Sequence, residues 1–255
     1  MKKVIAIGDL HCGSFSGLTP PAWHINEKRF KTISALQKET WKRYNDLTIK
    51  YRNPDLLIVN GDAIDGKGER SGGTELITTD REEQVEMAVQ CIDKWNAKKI
   101  VITYGTSYHA GLDEDWEKAI ADKIGAEIKN HAFIDINGFI IDVKHHVQGS
   151  QVPYGRHTAV SRERIQNILW NERELQPKAN IILRSHVHYH NYCGGSNWLA
   201  MTLPALQAAH TKYGARKCSG TVDWGIVIFN IAKEGWTWKS ETVRVQTEKA
   251  EVIQL

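Results

Sequence analysis

Four short β-branched apolar runs punctuate this chain: Val4 to Ile7, Leu56 to Val59, Ile100 to Ile102 and Ile181 to Leu183. Continuous apolar runs without alternation read as strands buried on both faces, the pattern of parallel sheets. Each run is followed by a turn that carries aspartate or histidine. These turns are Gly8-Asp9-Leu10-His11, Gly61-Asp62-Ala63-Ile64-Asp65, Gly105-Thr106-Ser107-Tyr108-His109 and His186-Val187-His188. A further pair, His145-His146, lies between the third and the fourth. Open α/β sheets place their sites beyond strand ends, so ligands that follow several strands gather at one edge. Carboxylates and imidazoles in this number are enough to hold two divalent ions. Imidazole suits zinc, iron or nickel, and carboxylate tolerates manganese or magnesium.

The rest of the chain supplies helices between these runs. Asn26 can cap a long helix on which Phe30, Ile33, Trp41, Tyr44, Leu47 and Tyr51 recur near the helical period. Asn53-Pro54-Asp55 ends it. A second helix starts near Asp80, with Val85, Ala88, Val89, Ile92 and Trp95 on one face. A short one runs from Asp113 to Ile124. Phe133 to Ile136 and Phe139 to Val143 flank Asn137-Gly138, a strong two-residue hairpin signal. Ser161 to Leu175 reads as a helix with Ile165, Ile168, Leu169 and Leu175 inward. After Pro204 the chain turns to strand, from Trp224 to Ile231 and from Trp236 to Val245. The βα units of the first half are expected to build one mixed sheet and the late strands a second.

Residues 1–255 are read as a single domain, because 255 residues suffice for one α/β core and no repeat or low-complexity linker divides them. No apolar run reaches the length of a membrane span. The first residues, Met1 to Asp9, read as a strand rather than a signal peptide, so a cytoplasmic protein is expected. Cys12, Cys91, Cys193 and Cys218 are scattered and do not form a disulfide framework. A net charge of +3 argues against a tight binder of duplex DNA.

The order of these blocks resembles the calcineurin-like metallophosphoesterase superfamily. Its pattern is D-x-H, G-D-x-x-D, G-N-H-[DE], a lone H, then G-H-x-H. Four of the five blocks match, between Asp9 and His188, and the third departs. The loop after the first block and the Gly-Thr-x-x-His block also look similar to metallophosphoesterases carried by phages and prophages. A phage-encoded chain would work in the host cytoplasm. The resemblance implies a four-layer α/β/β/α sandwich of two mixed β-sheets flanked by helices.

The resemblance also implies roles. Asp9 and His11 would bind the first metal with His188, while Asp62 would bridge two ions about 3.5–4 Å apart. His186 would bind the second. Two-residue spacing puts Asp9 with His11, and His186 with His188, on one face of a continuing strand. Asp65 would orient a ligand and so serve catalysis. His145 and His146 point to opposite faces of a strand, so only one should be a ligand, and His145 is preferred. Thr106 stands where the family has asparagine on the second metal. His109, two residues late, is read as the general acid that protonates the leaving oxygen. Arg156, His157, Arg162 and Arg164 could contact phosphate, and His190 could reach the substrate.

The expected activity is phosphodiester or nucleic-acid hydrolysis by a metal-bound hydroxide, with two divalent ions, manganese first among them. The alternative is a phosphomonoesterase acting on nucleotides or proteins, and the third reading is a catalytically inactive binding module. The expected partner is a phosphate ester, whether nucleotide or nucleic acid, and not a membrane.

Overall fold

All four apolar runs are strands, and they divide between two sheets. In a computed structural model that describes residues 1–26, 28–111, 115–150, 152–209, 221–245 and 252–254, the first three are β1 (Lys2–Ile7), β2 (Leu56–Asn60) and β3 (Ile100–Thr103). They run parallel, with Ile7 beside Val59 and Val59 beside Ile102, so their carboxyl ends are level. A short strand not expected from the sequence, β4 (Glu127–Lys129), extends the parallel set.

The second sheet starts with the predicted hairpin, β5 (Ala132–Ile136) and β6 (Phe139–Val143), whose tight turn puts Asn137 and Gly138 at positive φ. Only asparagine and glycine adopt such a turn cheaply. The fourth apolar run, β7 (Ile181–Arg184), lies parallel to β6. The strands β8 (Asn191–Gly194) and β9 (Leu199–Thr202) complete the order β5-β6-β7-β9-β8.

The late strands correct the expectation for them. Those spanning Trp224–Ile231 (β10) and Trp236–Val243 (β11) join the first sheet rather than forming the second. The order of the first sheet is β11-β10-β1-β2-β3-β4, with β10 antiparallel to β1. Both sheets are therefore mixed.

Alternation along β1 explains the layering. Val4 and Ala6 face the second sheet, packing with Ile58, Val143, Leu183 and Phe229. Ile5 and Ile7 face the helices α1 (Lys31–Lys50), α2 (Arg81–Asp93) and α4 (Trp116–Ile124), among Tyr44, Val85, Ile92 and Ile120. Both faces are covered, so the run is apolar throughout. Asp80 caps α2, its side chain accepting from the backbone of Glu82 and Glu83. The start of α1 differs from the expectation. Asn26 does not cap it, because the helix begins five residues later, after Phe30.

The helix α5 (Gly155–Glu172) covers the outer face of the second sheet. The result is the expected four-layer α/β/β/α sandwich. This helix begins six residues before the expected Ser161 and is rotated from the expected face. Val160 packs on Ala179, Ile182 and Ala200, while Arg164 Nη1 donates to the Ala179 carbonyl at 2.5 Å. Asn167 accepts from Ala179 N at 2.9 Å and donates to the Pro177 carbonyl at 3.0 Å. These anchors pull the polar side of the helix inward. Ile165 and Leu169 are left 55% and 51% exposed, and Ile168 and Leu175 also face solvent. No helix among the described residues is long and apolar enough to cross a membrane.

Candidate metal centre

Asp9, His11, Asp62, His186 and His188 share one backbone property: each has a left-handed φ, between 46° and 74°. Non-glycine residues adopt that conformation rarely, and such strain clusters at functional sites. It corrects the reading of strand alternation. β1 ends at Ile7 and β7 at Arg184, so the Asp-x-His and His-x-His pairs lie in turns beyond the strands. The left-handed turns, and not the pleat, bring each pair together.

Cross-links between the turns hold them there. Asp9 N donates to the Gly61 carbonyl and His11 N to the Asp62 carbonyl, both at 3.0 Å. His186 N donates to the Asp9 carboxylate at 3.1 Å. A side chain at Gly61 would strike the His145 ring, and one at Gly105 would strike the Asp62 carboxylate. Both positions need glycine because the turns approach so closely.

Three sets of donor atoms lie within 4.8 Å of one another: Asp9, His11 and His188; His11, Asp62 and His109; and Asp62, His145 and His186. Asp62 belongs to two of them. His11 Nε2 and His188 Nε2 are only 3.2 Å apart, so a proton or a cation must lie between these nitrogens. His188 Nε2 is 3.4 Å from Asp9 Oδ1. His145 Nε2 is 3.0 Å from Asp62 Oδ2. The angle there is poor for a hydrogen bond, and this buried nitrogen has no hydrogen-bond partner.

The rings are aimed from behind. Asp65 Oδ1 lies 2.8 Å from His11 Nδ1, which fixes a proton there and turns Nε2 inward. His145 Nδ1 is held 2.7 Å from the Asn60 carbonyl. His109 Nδ1 donates to the Asp65 carbonyl at 2.7 Å, and its ring meets the His11 ring edge-on at 4.5 Å.

The remaining residues named from the sequence lie around this core. Thr106 caps the one-turn helix α3 (Ser107–Ala110), and its amide and hydroxyl donate to Asp62 Oδ1 at 2.7 and 3.1 Å. Its hydroxyl proton is thus spent on a carboxylate. His146 is exposed and belongs to none of the three sets, although its ring lies 4.7 Å from that of His186. His190 Nδ1 is 2.7 Å from the Thr202 carbonyl. Arg164 is turned into the anchor of α5, away from any phosphate, and the Arg156 guanidinium stacks over Tyr189.

One functional residue was missed. Glu117, on α4, is fully buried and accepts from Ala63 N at 3.0 Å and from Gly105 N at 2.6 Å. It therefore ties the Asp62 turn to the Thr106 turn. The available signal was weak: a carboxylate one residue after Trp116, on the face whose other members, Ile120 and Ala121, are buried.

Electrostatics follow the geometry. Burial lowers the proton affinity of His145, but the carboxylates of Asp62 and Asp9 overcome this and push its pKa up to about 10. Asp62 is buried, which alone would raise it, yet His145 and His109 hold it well below the usual carboxylate range. His186 is lowered to about 4 by burial and by its neighbour His145. Glu117 is pushed up to about 7, by burial first and then by the charge of Asp62.

These features fit divalent cations. A buried ring nitrogen lacks a partner, two others face each other, and two buried carboxylates stand among them. The donors are nitrogen and oxygen without thiolate, a set suited to borderline and hard divalent ions.

No family model matches the chain, and no curated protein matches it. Solved structures do. Zinc-complexed Vps29 from Entamoeba histolytica is 13% identical, covers 94% of this chain and 98% of its own, and has a TM-score of 0.49. An archaeal phosphodiesterase is 12% identical over 94% of this chain and 99% of its own, with a TM-score of 0.42. A predicted phosphoesterase from Streptococcus pneumoniae is 12% identical over 94% and 98%, with a TM-score of 0.38. No family membership follows from likenesses of this size.

Proposed function

We propose that this chain is a metal-dependent phosphoesterase that holds two divalent ions and cleaves phosphodiesters. The observation that carries the reading is the position of Asp62, which shares one donor set with His145 and His186 and another with His11, itself a member of the Asp9, His11 and His188 set. A carboxylate shared in this way is what two adjacent cations need for charge neutralisation.

In this reading Asp9, His11 and His188 hold the first ion and His145 and His186 the second, with Asp62 between them. Manganese is the preferred metal, with zinc, iron, nickel and magnesium as alternatives. When bound, such ions polarise a phosphoryl oxygen and lower the pKa of water. The chain supplies the rest. Asp65 and Asn60 lock the His11 and His145 rings, so little reorganisation is needed on binding. Thr106 donates to the Asp62 carboxylate directly, and Glu117 ties together the turns that carry the two residues. His109, with Nδ1 committed to the Asp65 carbonyl, has Nε2 available to give a proton to the leaving oxygen. Beside the centre, Lys144, His146, Val147 and Gln148 line part of a cavity of about 150 Å³, room for a substituent beyond the phosphoryl group.

The test is a panel of aryl diester, aryl monoester, cyclic nucleotide and single-stranded DNA substrates with manganese added back to stripped protein. Diester cleavage that exceeds monoester cleavage supports the reading. Monoester cleavage alone moves the protein to the phosphatases, and no turnover with any metal leaves a binding module.

A further inference from the structure

The outer face of α5 presents apolar side chains to solvent. Ile165 and Leu169 are each more than half exposed, Ile168 and Trp170 are exposed, and Leu175 just beyond the helix is 68% exposed. Contiguous exposed apolar surface of this kind marks an interaction site more often than an accident.

The charges beside it say what fits. Arg162, Ile165, Leu169 and Glu172 follow one another at spacings of three, four and three, so they form a single stripe along the solvent side. Both end members are exposed. The stripe is symmetric about Asn167: Ile165 and Leu169 are equidistant from it, and so are Arg162 and Glu172. When two copies of this helix lie antiparallel across a two-fold axis, Ile165 of each meets Leu169 of the other. Arg162 of each then meets Glu172 of the other. Isologous interfaces require such self-complementarity, in which residue i meets j and j meets i. A parallel arrangement would instead set Arg162 against Arg162.

We infer that α5 is a homodimer interface, formed by a second copy of this chain packed antiparallel along the Arg162–Ile165–Leu169–Glu172 stripe. This goes beyond the proposed chemistry and does not depend on it. No donor of the centre belongs to the stripe, but Arg162 also lines the cavity beside the centre, where its Nη1 donates to Gln148 Oε1 at 2.6 Å, and pairing with Glu172 of the second copy draws on its remaining N–H groups.

The test is sedimentation equilibrium or light scattering on the full chain at micromolar concentration. Wild type is expected at twice the 28.9 kDa chain mass. Ile165→Glu and Leu169→Glu are expected at the single mass, with thermal unfolding showing that both remain folded, since these positions are exposed. Arg162→Glu and Glu172→Arg should each weaken the dimer by about tenfold or more, because two attractions become two repulsions. The double variant should recover most of the loss. A monomeric wild type overturns the inference. So does a dimer that survives Ile165→Glu, or a charge swap without recovery.

Discussion

His145 Nε2 lies 3.0 Å from Asp62 Oδ2, both residues buried, with the nitrogen misaligned for a hydrogen bond. In the metal-free chain a proton on His145 offsets the charge of Asp62, and it stays bound up to about pH 10. A cation at this place must displace that proton. Metal affinity should therefore rise with pH, and binding at pH 7 should release protons. Calorimetry in buffers of different ionisation enthalpy reads the release. No proton release, with affinity flat from pH 6 to 8, contradicts this pairing.

The same shift sets a stability window. The folded chain keeps the His145 proton up to about 10, whereas the unfolded chain loses it near 6.5. The native state thus binds more protons between these values, and metal-free stability should fall as pH rises through them. Below 6.5 the contribution is complete. Denaturant titrations at pH 6 and pH 9 check the sign, and His145→Ala should flatten the slope.

Glu117 carries a prediction of its own. Glutamine there would turn an amide N–H₂ toward Ala63 N or Gly105 N, leaving a buried donor without an acceptor. Such a loss costs about 1–3 kcal/mol. Glu117→Gln should destabilise the fold by that order and weaken metal binding, because the Asp62 and Thr106 turns are no longer tied. Wild-type stability should also decline between pH 4.5 and about 7, where the unfolded carboxyl is ionised and the folded one is not. The Gln variant should lack that decline. Unchanged stability and metal content in the variant would show that the tie does not matter.

His109→Ala should keep the bound metal but lower turnover on substrates with poor leaving groups, by about 10²–10⁴-fold. Activated aryl esters should suffer less, since their leaving groups need little protonation. Loss of a metal ion in this variant would instead make His109 a ligand, the role its place beside His11 and Asp62 also permits.

The four apolar strands, the hairpin and the turns that carry Asp9, His11, Asp62, His186 and His188 were legible because they rest on local signals, whereas β4, β8 and β9 were not read from the sequence. Buried parallel strands are uniformly apolar, and Asn137-Gly138 demands its turn. What failed was decided by tertiary partners. Ile165, Ile168 and Leu169 have a core-like period, yet Arg164 and Asn167 found backbone partners at Pro177 and Ala179 that rotate α5 the other way. The sheet joined by the Trp224–Ile231 strand depends on pairing with β1, more than two hundred residues earlier, which no local pattern reveals. Glu117 looked like a surface carboxylate because its two donors are backbone amides of distant turns.

The most direct test is to count metal in Asp62→Asn. Elemental analysis of wild type reconstituted with manganese should find two ions per chain. Because Asp62 shares one donor set with His145 and His186 and another with His11, Asp62→Asn should lose both ions, whereas His188→Ala should lose mainly one. His145→Ala should likewise lose more metal than His146→Ala, since the His146 ring is exposed and outside the donor sets. An Asp62→Asn protein that still holds two tightly bound ions would contradict the shared carboxylate, and with it the two-metal centre.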